Sequence, residues 1–144
     1  MINTDKVLHG FTDLKNLNVL GPIVLNQAKG IYVYDQDGKK YLDANSGLWN
    51  SVVGFDHPRM VETAKKQYEK FSGYHAFFGR ISEPAVKLAD KLIEISPFTD
   101  GKVFFTNSGS EANDTTVKLI WFINKRKGHP NRRKIITRIN SYHG

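Results

Sequence analysis

Between Lys102 and Ile139 the chain alternates element types in one order. A short apolar segment, Lys102-Val-Phe-Phe105, reads as a buried strand. Thr106-Asn-Ser-Gly-Ser110 is a turn of small polar residues, and Glu111 to about Lys127 reads as a helix, with Val117, Ile120, Trp121 and Asn124 at helical spacing. A basic turn then leads into Lys134-Ile-Ile-Thr-Arg-Ile139, a second strand. Strand, helix, strand is a βαβ unit, which predicts a parallel sheet and an α/β protein. A parallel sheet of two strands cannot cover both of its faces. The chain of 144 residues therefore reads either as one small domain or as a piece of a larger one, and the uncovered sheet favours the piece.

The rest of the chain is consistent with a mixed fold. The first 29 residues show no clear period. Ile31, Val33 and Tyr41 flank Asp35-Gln-Asp-Gly-Lys39, and an Asp-Gly pair between short β-rich runs predicts a hairpin. From Pro58 to Phe71 the residues are helix formers, with Met60, Ala64 and Tyr68 on one stripe. Ser82-Glu-Pro-Ala85 resembles a helix start, with Ser82 as N-cap and Pro84 in the first turn. Ala85, Leu88, Ala89, Leu92 and Ile93 then share a face, and Pro97 closes the helix. Neither repeats nor low-complexity tracts interrupt this order.

Composition removes several function classes. With 40% hydrophobic and 24% charged residues the chain is not of the disordered type. It has no cysteine, which excludes a disulfide scaffold, a thiolate zinc site, an iron–sulfur cluster and a cysteine nucleophile. No pair of His and carboxylates has metal-ligand spacing. No apolar run approaches the roughly 20 residues that span a bilayer. The N-terminus lacks the apolar core of a secretory signal, so a cytoplasmic protein with no membrane partner is expected. The net charge of +7 is local: Lys125–Arg138 holds seven basic residues and no acid, and the remainder balances at 14 against 14. That stretch could bind nucleic acid as a non-catalytic basic module. Gly128, Pro130 and Asn131 in its middle, and the absence of interleaved aromatics, favour a solvated turn.

The turn Asn107-Ser-Gly-Ser110 lies at a helix N-terminus, where amide groups lack internal partners and the dipole favours an anion. Gly109 lets the backbone approach a phosphate, and Ser110 offers an amide and a hydroxyl. The turn lacks the Gly-Lys-Ser/Thr ending of a P-loop and the G-x-G-x-x-G dinucleotide pattern. Read alone, a Ser-Gly-Ser turn is weak evidence, and a plain N-cap at Ser108 or Ser110 is the favoured explanation.

The longer string Phe104-Phe-Thr-Asn-Ser-Gly-Ser-Glu-Ala-Asn-Asp114 resembles the phosphate loop of class III aminotransferases, which use pyridoxal 5′-phosphate (PLP). Tyr41-Leu-Asp-Ala-Asn-Ser-Gly-Leu-Trp49 before Val53-Gly-Phe-Asp-His-Pro58, Tyr74-His-Ala-Phe-Phe-Gly-Arg80 and Ser141-Tyr-His-Gly144 resemble three more motifs of the family, in order. The pairing of Gly-Leu-Trp with Tyr-His-Ala-Phe-Phe is most similar to the bacterial (S)-selective amine:pyruvate branch.

The resemblance implies the N-terminal portion of a fold-type I enzyme, with a large parallel or mixed sheet domain and a smaller α+β domain. Residues 1–55 would be the N-terminal segment and the start of the small domain, and 56–144 the beginning of the large PLP-binding domain. It implies that Ser108, Gly109 and Ser110 bind the PLP phosphate, that Tyr142 stacks on the pyridine ring, and that His143 adjoins it with no chemical step assigned. Phe11, Leu48 and Trp49 would line the substrate pocket with Phe77 and Phe78, the pair that also marks a homodimer interface. The partners implied are an amine and pyruvate, with no nucleic acid. Set apart from the family, Trp49, Phe77 and Phe78 read as core aromatics, Glu111 and Asp114 as first-turn acids, and Asp43, His57 and Glu83 as capping or surface groups.

PLP chemistry also needs a lysine that forms a Schiff base with the cofactor, and an acid at its ring nitrogen. No lysine here sits in a matching motif, so no catalytic residue is assigned. The expectation is the N-terminal third of an aminotransferase, inactive alone.

Overall fold

A computed structural model describes residues 3–142. By its contacts the chain divides into two units, Met1–Gly73 and Tyr74–Gly144.

The first unit opens with α1 (Leu14–Leu20), which the sequence reading passed over. The Asp13 side chain accepts the amides of Lys15 and Asn16, and Gly21 ends the helix at φ 73°. Three strands follow, β1 (Leu25–Lys29), β2 (Tyr32–Asp35) and β3 (Lys40–Leu42), in an antiparallel sheet of that order. β1 pairs Lys29 with Tyr32 and Leu25 with Asp35 across a bulge, and β2 pairs Tyr32 with Leu42. The predicted hairpin is thus present between β2 and β3.

Its turn is organised by Asp35, the one buried residue among those described. Asp35 Oδ1 accepts the amides of Asp37 and Lys39 at 3.0 and 2.9 Å, and Oδ2 accepts the Tyr41 hydroxyl at 2.7 Å. Gly38 supplies the positive φ of 80° that closes the turn. The Tyr41 hydroxyl, then the two amides and Lys39, hold the Asp35 carboxyl below its ordinary 3.8, and the same bond raises Tyr41. A depressed carboxylate supports the folded hairpin above pH 3.8, and that support is lost as pH falls from there through the folded value. In Tyr41→Phe the Asp35 midpoint should rise toward 3.8, read by NMR of isotope-labelled aspartate; an unmoved midpoint would refute the assignment of the cause.

Beyond β3, Ser46–Trp49 forms a single distorted turn, α2, with non-helical Gly47 and Leu48. The chain then returns to the β1–β2 turn. The Phe55 amide donates to Gly30 O at 3.0 Å, and the Gly30 amide donates to Asp56 Oδ1 at 2.7 Å. A Cβ on Gly54 would stand 3.1 Å from Gly30 O, so this approach needs glycine. α3 (Pro58–Lys70) follows, with Pro58 in its first turn and a Glu62–Lys66 ion pair of 3.2 Å.

The second unit holds α4 (Glu83–Ile95), which starts from an extended Ser82 and stops before Pro97, and α5 (Gly109–Arg126). After α5 the chain turns at Gly128 and runs back along the helix. Trp121 Nε1 donates to Arg133 O, and Asn124 Nδ2 donates to Arg132 O, each at 3.1 Å.

The predicted pairing of Lys102–Phe105 with Lys134–Ile139 is not made. Both segments lack ladder bonds among the described residues, and the sheet that does form is the antiparallel one in the first unit. Two strands that flank a crossover helix need not be neighbours, and a strand is completed only by a partner. The surface shows the same incompleteness. The chain exposes 13,479 Å², whereas two separate compact units sharing its mass would expose about 9,000 Å². No hydrophobic side chain is buried among the described residues.

Candidate functional site

The turn before α5 is built by its own side chains. Ser108 is the N-cap, its Oγ accepting the Glu111 amide at 3.2 Å, while the Glu111 carboxylate accepts the Asn107 amide at 2.8 Å. This is a capping box shifted by one residue, in which two helix-end donors are satisfied reciprocally. Thr106 Oγ1 donates to Ser108 O at 3.0 Å and locks the approach. Thr106 and Glu111 thus hold the turn; the Ser-x-x-Glu spacing was the signal available for it.

These bonds engage the Ser108 hydroxyl and leave the donors that follow it. The amides of Gly109 and Ser110 are first-turn groups without intrahelical partners, and the exposed Ser110 hydroxyl stands beside them. Apart from its chain neighbours and the backbone of α5 itself, no atom lies within 4 Å of where a Gly109 Cβ would project, so this side of the turn is open. Ser110 also borders a cavity of about 440 Å³ lined by Thr116, Val117, Ile135 and Thr137. Two amides, a hydroxyl and a positive helix end suit a phosphate dianion.

Tyr142 lies in the same unit, after a turn in which the Ser141 hydroxyl donates to Arg138 O at 2.8 Å, and its ring is 87% exposed. His143 lies outside the described residues. Phe77 and Phe78 follow a ring series in which Tyr74 stacks on His75 at 4.4 Å and His75 meets Phe78 edge-on at 6.3 Å. The Arg80 amide donates to Phe77 O at 3.1 Å and closes that turn.

Phe11, Leu48 and Trp49 belong to the first unit, and all three are exposed. Three of the pocket candidates, two in the first unit and one in the second, share with Ser46 and Asn140 a backbone feature invisible in the sequence. Phe11, Trp49 and Phe78 have φ of 52°, 64° and 56°. Bulky side chains rarely occupy this region, each instance costs about 1–3 kcal/mol, and such strain clusters at ligand sites.

Glu83 pairs with Lys87 at 2.6 Å, Asp43 accepts backbone amides, and His57 has its Nδ1 buried without a partner. Lys125–Arg138 supplies the end of α5, the turn and the return segment, with its backbone tied down by Trp121 and Asn124. No described helix is long and apolar enough to cross a membrane.

The sequence pattern of the family described as aminotransferase class-III matches residues 15–144. The chain belongs to that family. Gamma aminobutyrate transaminase 2 of Solanum lycopersicum is 52% identical over 126 residues, covering 87% of this chain and 28% of that protein. The structure of the PMP-bound aminotransferase of Vibrio fluvialis matches with a TM-score of 0.92 at 56% identity, over 96% of this chain and 31% of the other. An omega-aminotransferase from Paracoccus denitrificans gives a TM-score of 0.93 at 55% identity, over 97% and 31%. This aminotransferase chain therefore spans about a third of the length of the relatives it matches. Class-III aminotransferases are PLP-dependent, and the matching Vibrio fluvialis structures are an aminotransferase in PMP-bound form and an aminotransferase mutant in PLP-bound form. The amides of Gly109 and Ser110 and the Ser110 hydroxyl at the α5 N-terminus fit the chemistry of such a phosphate.

Proposed function

We propose that the enzyme containing this segment moves an amino group from an amine or omega-amino acid to pyruvate, giving alanine and a ketone or aldehyde. The observation that carries the reading is the capped turn before α5: the Ser108 hydroxyl accepts the Glu111 amide, the Glu111 carboxylate accepts the Asn107 amide, and the first-turn amides of Gly109 and Ser110 have no intrahelical partner. In this reading Gly109 and Ser110, with Ser108 holding the turn, anchor the PLP phosphate. Tyr142 covers one face of the pyridine ring, as a flat aromatic suits, and His143 adjoins it. When bound, PLP supplies the electron sink and carries the nitrogen between the two substrates. Phe11, Leu48, Trp49, Phe77 and Phe78 exclude water from the amine and set its size. Residues 1–55 belong to the small domain and 56–144 to the large one, in a cytoplasmic homodimer whose interface includes Phe77 and Phe78.

The pyruvate branch is favoured by the pairing of Gly47-Leu-Trp49 with Tyr74-His-Ala-Phe-Phe78. The test is the whole PLP-loaded enzyme assayed with an arylalkyl amine, β-alanine and γ-aminobutyrate, each with pyruvate. Alanine should form one-for-one with the ketone or aldehyde from at least one donor. Turnover only with a keto acid that carries a second carboxylate would refute the pyruvate assignment.

A further inference from the structure

The turn that carries Leu48 and Trp49 is held from both ends by side chains. Asp43 Oδ1 accepts the Asn45 amide at 3.0 Å, and Oδ2 accepts the Gly47 amide at 2.6 Å. The Asp43 amide itself donates to Ile31 O at 2.9 Å, so the carboxylate is anchored just beyond β3. From the other end, Asn50 Oδ1 accepts the Leu48 amide at 3.2 Å. The chain that leaves the turn is fixed in its turn by Asp56 on the Gly30 amide.

Between these anchors the backbone takes a path that a free peptide avoids. Ser46, Gly47 and Trp49 have φ of 52°, 69° and 64°, three left-handed residues within four. Two of them carry a Cβ, so the path persists only where neighbouring bonds impose it. Hydrogen bonds to an ionised acceptor are about twice as strong as neutral ones, and Asp43 makes two of them to this turn. Both carboxylate oxygens are thereby engaged by the backbone of this turn. The result is a Trp49 side chain that is 80% exposed and directed by backbone geometry.

We propose that Asp43 is a positioning residue that fixes how Leu48 and Trp49 are presented, and that through them it sets which sizes of amine the enzyme accepts. The inference rests on the reading of Leu48 and Trp49 as pocket wall. A substrate-facing indole must be held to a fraction of an ångström to discriminate by size, and a turn left to relax would present it in many directions.

The test uses the whole PLP-loaded enzyme and the ratio of kcat/KM for a bulky arylalkyl amine to that for a compact amine. Trp49→Gly should raise the ratio. Asp43→Ala should move it in the same direction by about tenfold, within the range that pocket contacts discriminate, and should add nothing when combined with Trp49→Gly. Asp43→Asn, which retains one accepting oxygen, should fall between. Should Asp43→Ala fail to fold, Gly47→Ala perturbs the same turn, because its Cβ would overlap Asn50 Oδ1 at a positive φ, and it should shift the ratio likewise. If Trp49→Gly shifts the ratio while Asp43→Ala and Gly47→Ala slow both amines equally, or if their effects add to that of Trp49→Gly, the positioning role is overturned. If Trp49→Gly itself leaves the ratio unchanged, the pocket reading fails, and this inference falls with it.

Discussion

Expressed alone, residues 1–144 should bind a hydrophobic dye, show poor chemical-shift dispersion and form no alanine from an amine and pyruvate. No hydrophobic side chain is buried among the described residues, and Ile136 and Ile139 are exposed by 96% and 93%. The extended segments on either side of α5 present backbone donors and acceptors with no ladder partner, a state that aggregates unless other strands cover it. The local elements persist as helices and a hairpin, so far-ultraviolet dichroism should remain while cooperative unfolding is absent. Borohydride reduction in the presence of PLP, followed by peptide mapping, provides the chemical test. Stoichiometric labelling of one lysine together with turnover would show that this segment is an enzyme by itself.

In the whole enzyme, Ser110→Ala should weaken PLP binding about tenfold to hundredfold, because a hydroxyl bond to a charged phosphate contributes about 1.5–3 kcal/mol. The rate at saturating cofactor should change far less. Ser108→Ala provides the contrast. Its hydroxyl accepts the Glu111 amide, so its loss costs α5 about 1 kcal/mol of cap energy and lowers the melting temperature, with a smaller effect on cofactor affinity. Fluorescence titration of apoenzyme with PLP distinguishes the two. Equal PLP dissociation constants for Ser110→Ala and the wild type would reduce Ser110 to an ordinary first-turn residue.

What could be read without coordinates follows from the range of the interactions involved. α3, α4 and α5 declare themselves through helical spacing and through Pro58, Ser82 and Ser108 at their starts, all local signals. The β2–β3 hairpin does so through Asp37-Gly38. α1 was missed although Asp13 and Gly21 bracket it, because seven residues give too few turns for a period to emerge. β1 was missed because Leu-Asn-Gln-Ala-Lys has no alternation; it is a strand because β2 offers it a ladder. Lys102–Phe105 and Lys134–Ile139 show the reverse case, with strand composition but no ladder partner among the described residues. At the site, Gly109 and Ser110 were legible from residue type. The left-handed backbone at Phe11, Trp49 and Phe78 was not, since aromatic residues give no sequence cue for it. Asp43-x-Asn45 and Gly47 did carry a cue, the Asx-turn pattern, which a search for acids and bases passes over.

The clamp of Trp121 and Asn124 on the carbonyls of Arg133 and Arg132 bears on the order in which the polypeptide is assembled. It joins residues only twelve and eight positions apart. Closing so short a loop takes well under a microsecond, whereas the ribosome adds about 5–20 residues per second. Helix α5 and the segment that returns along it are thus in register with each other soon after they leave the exit tunnel. Any long-range pairing of that segment then starts from a position already set against α5 by Trp121 and Asn124.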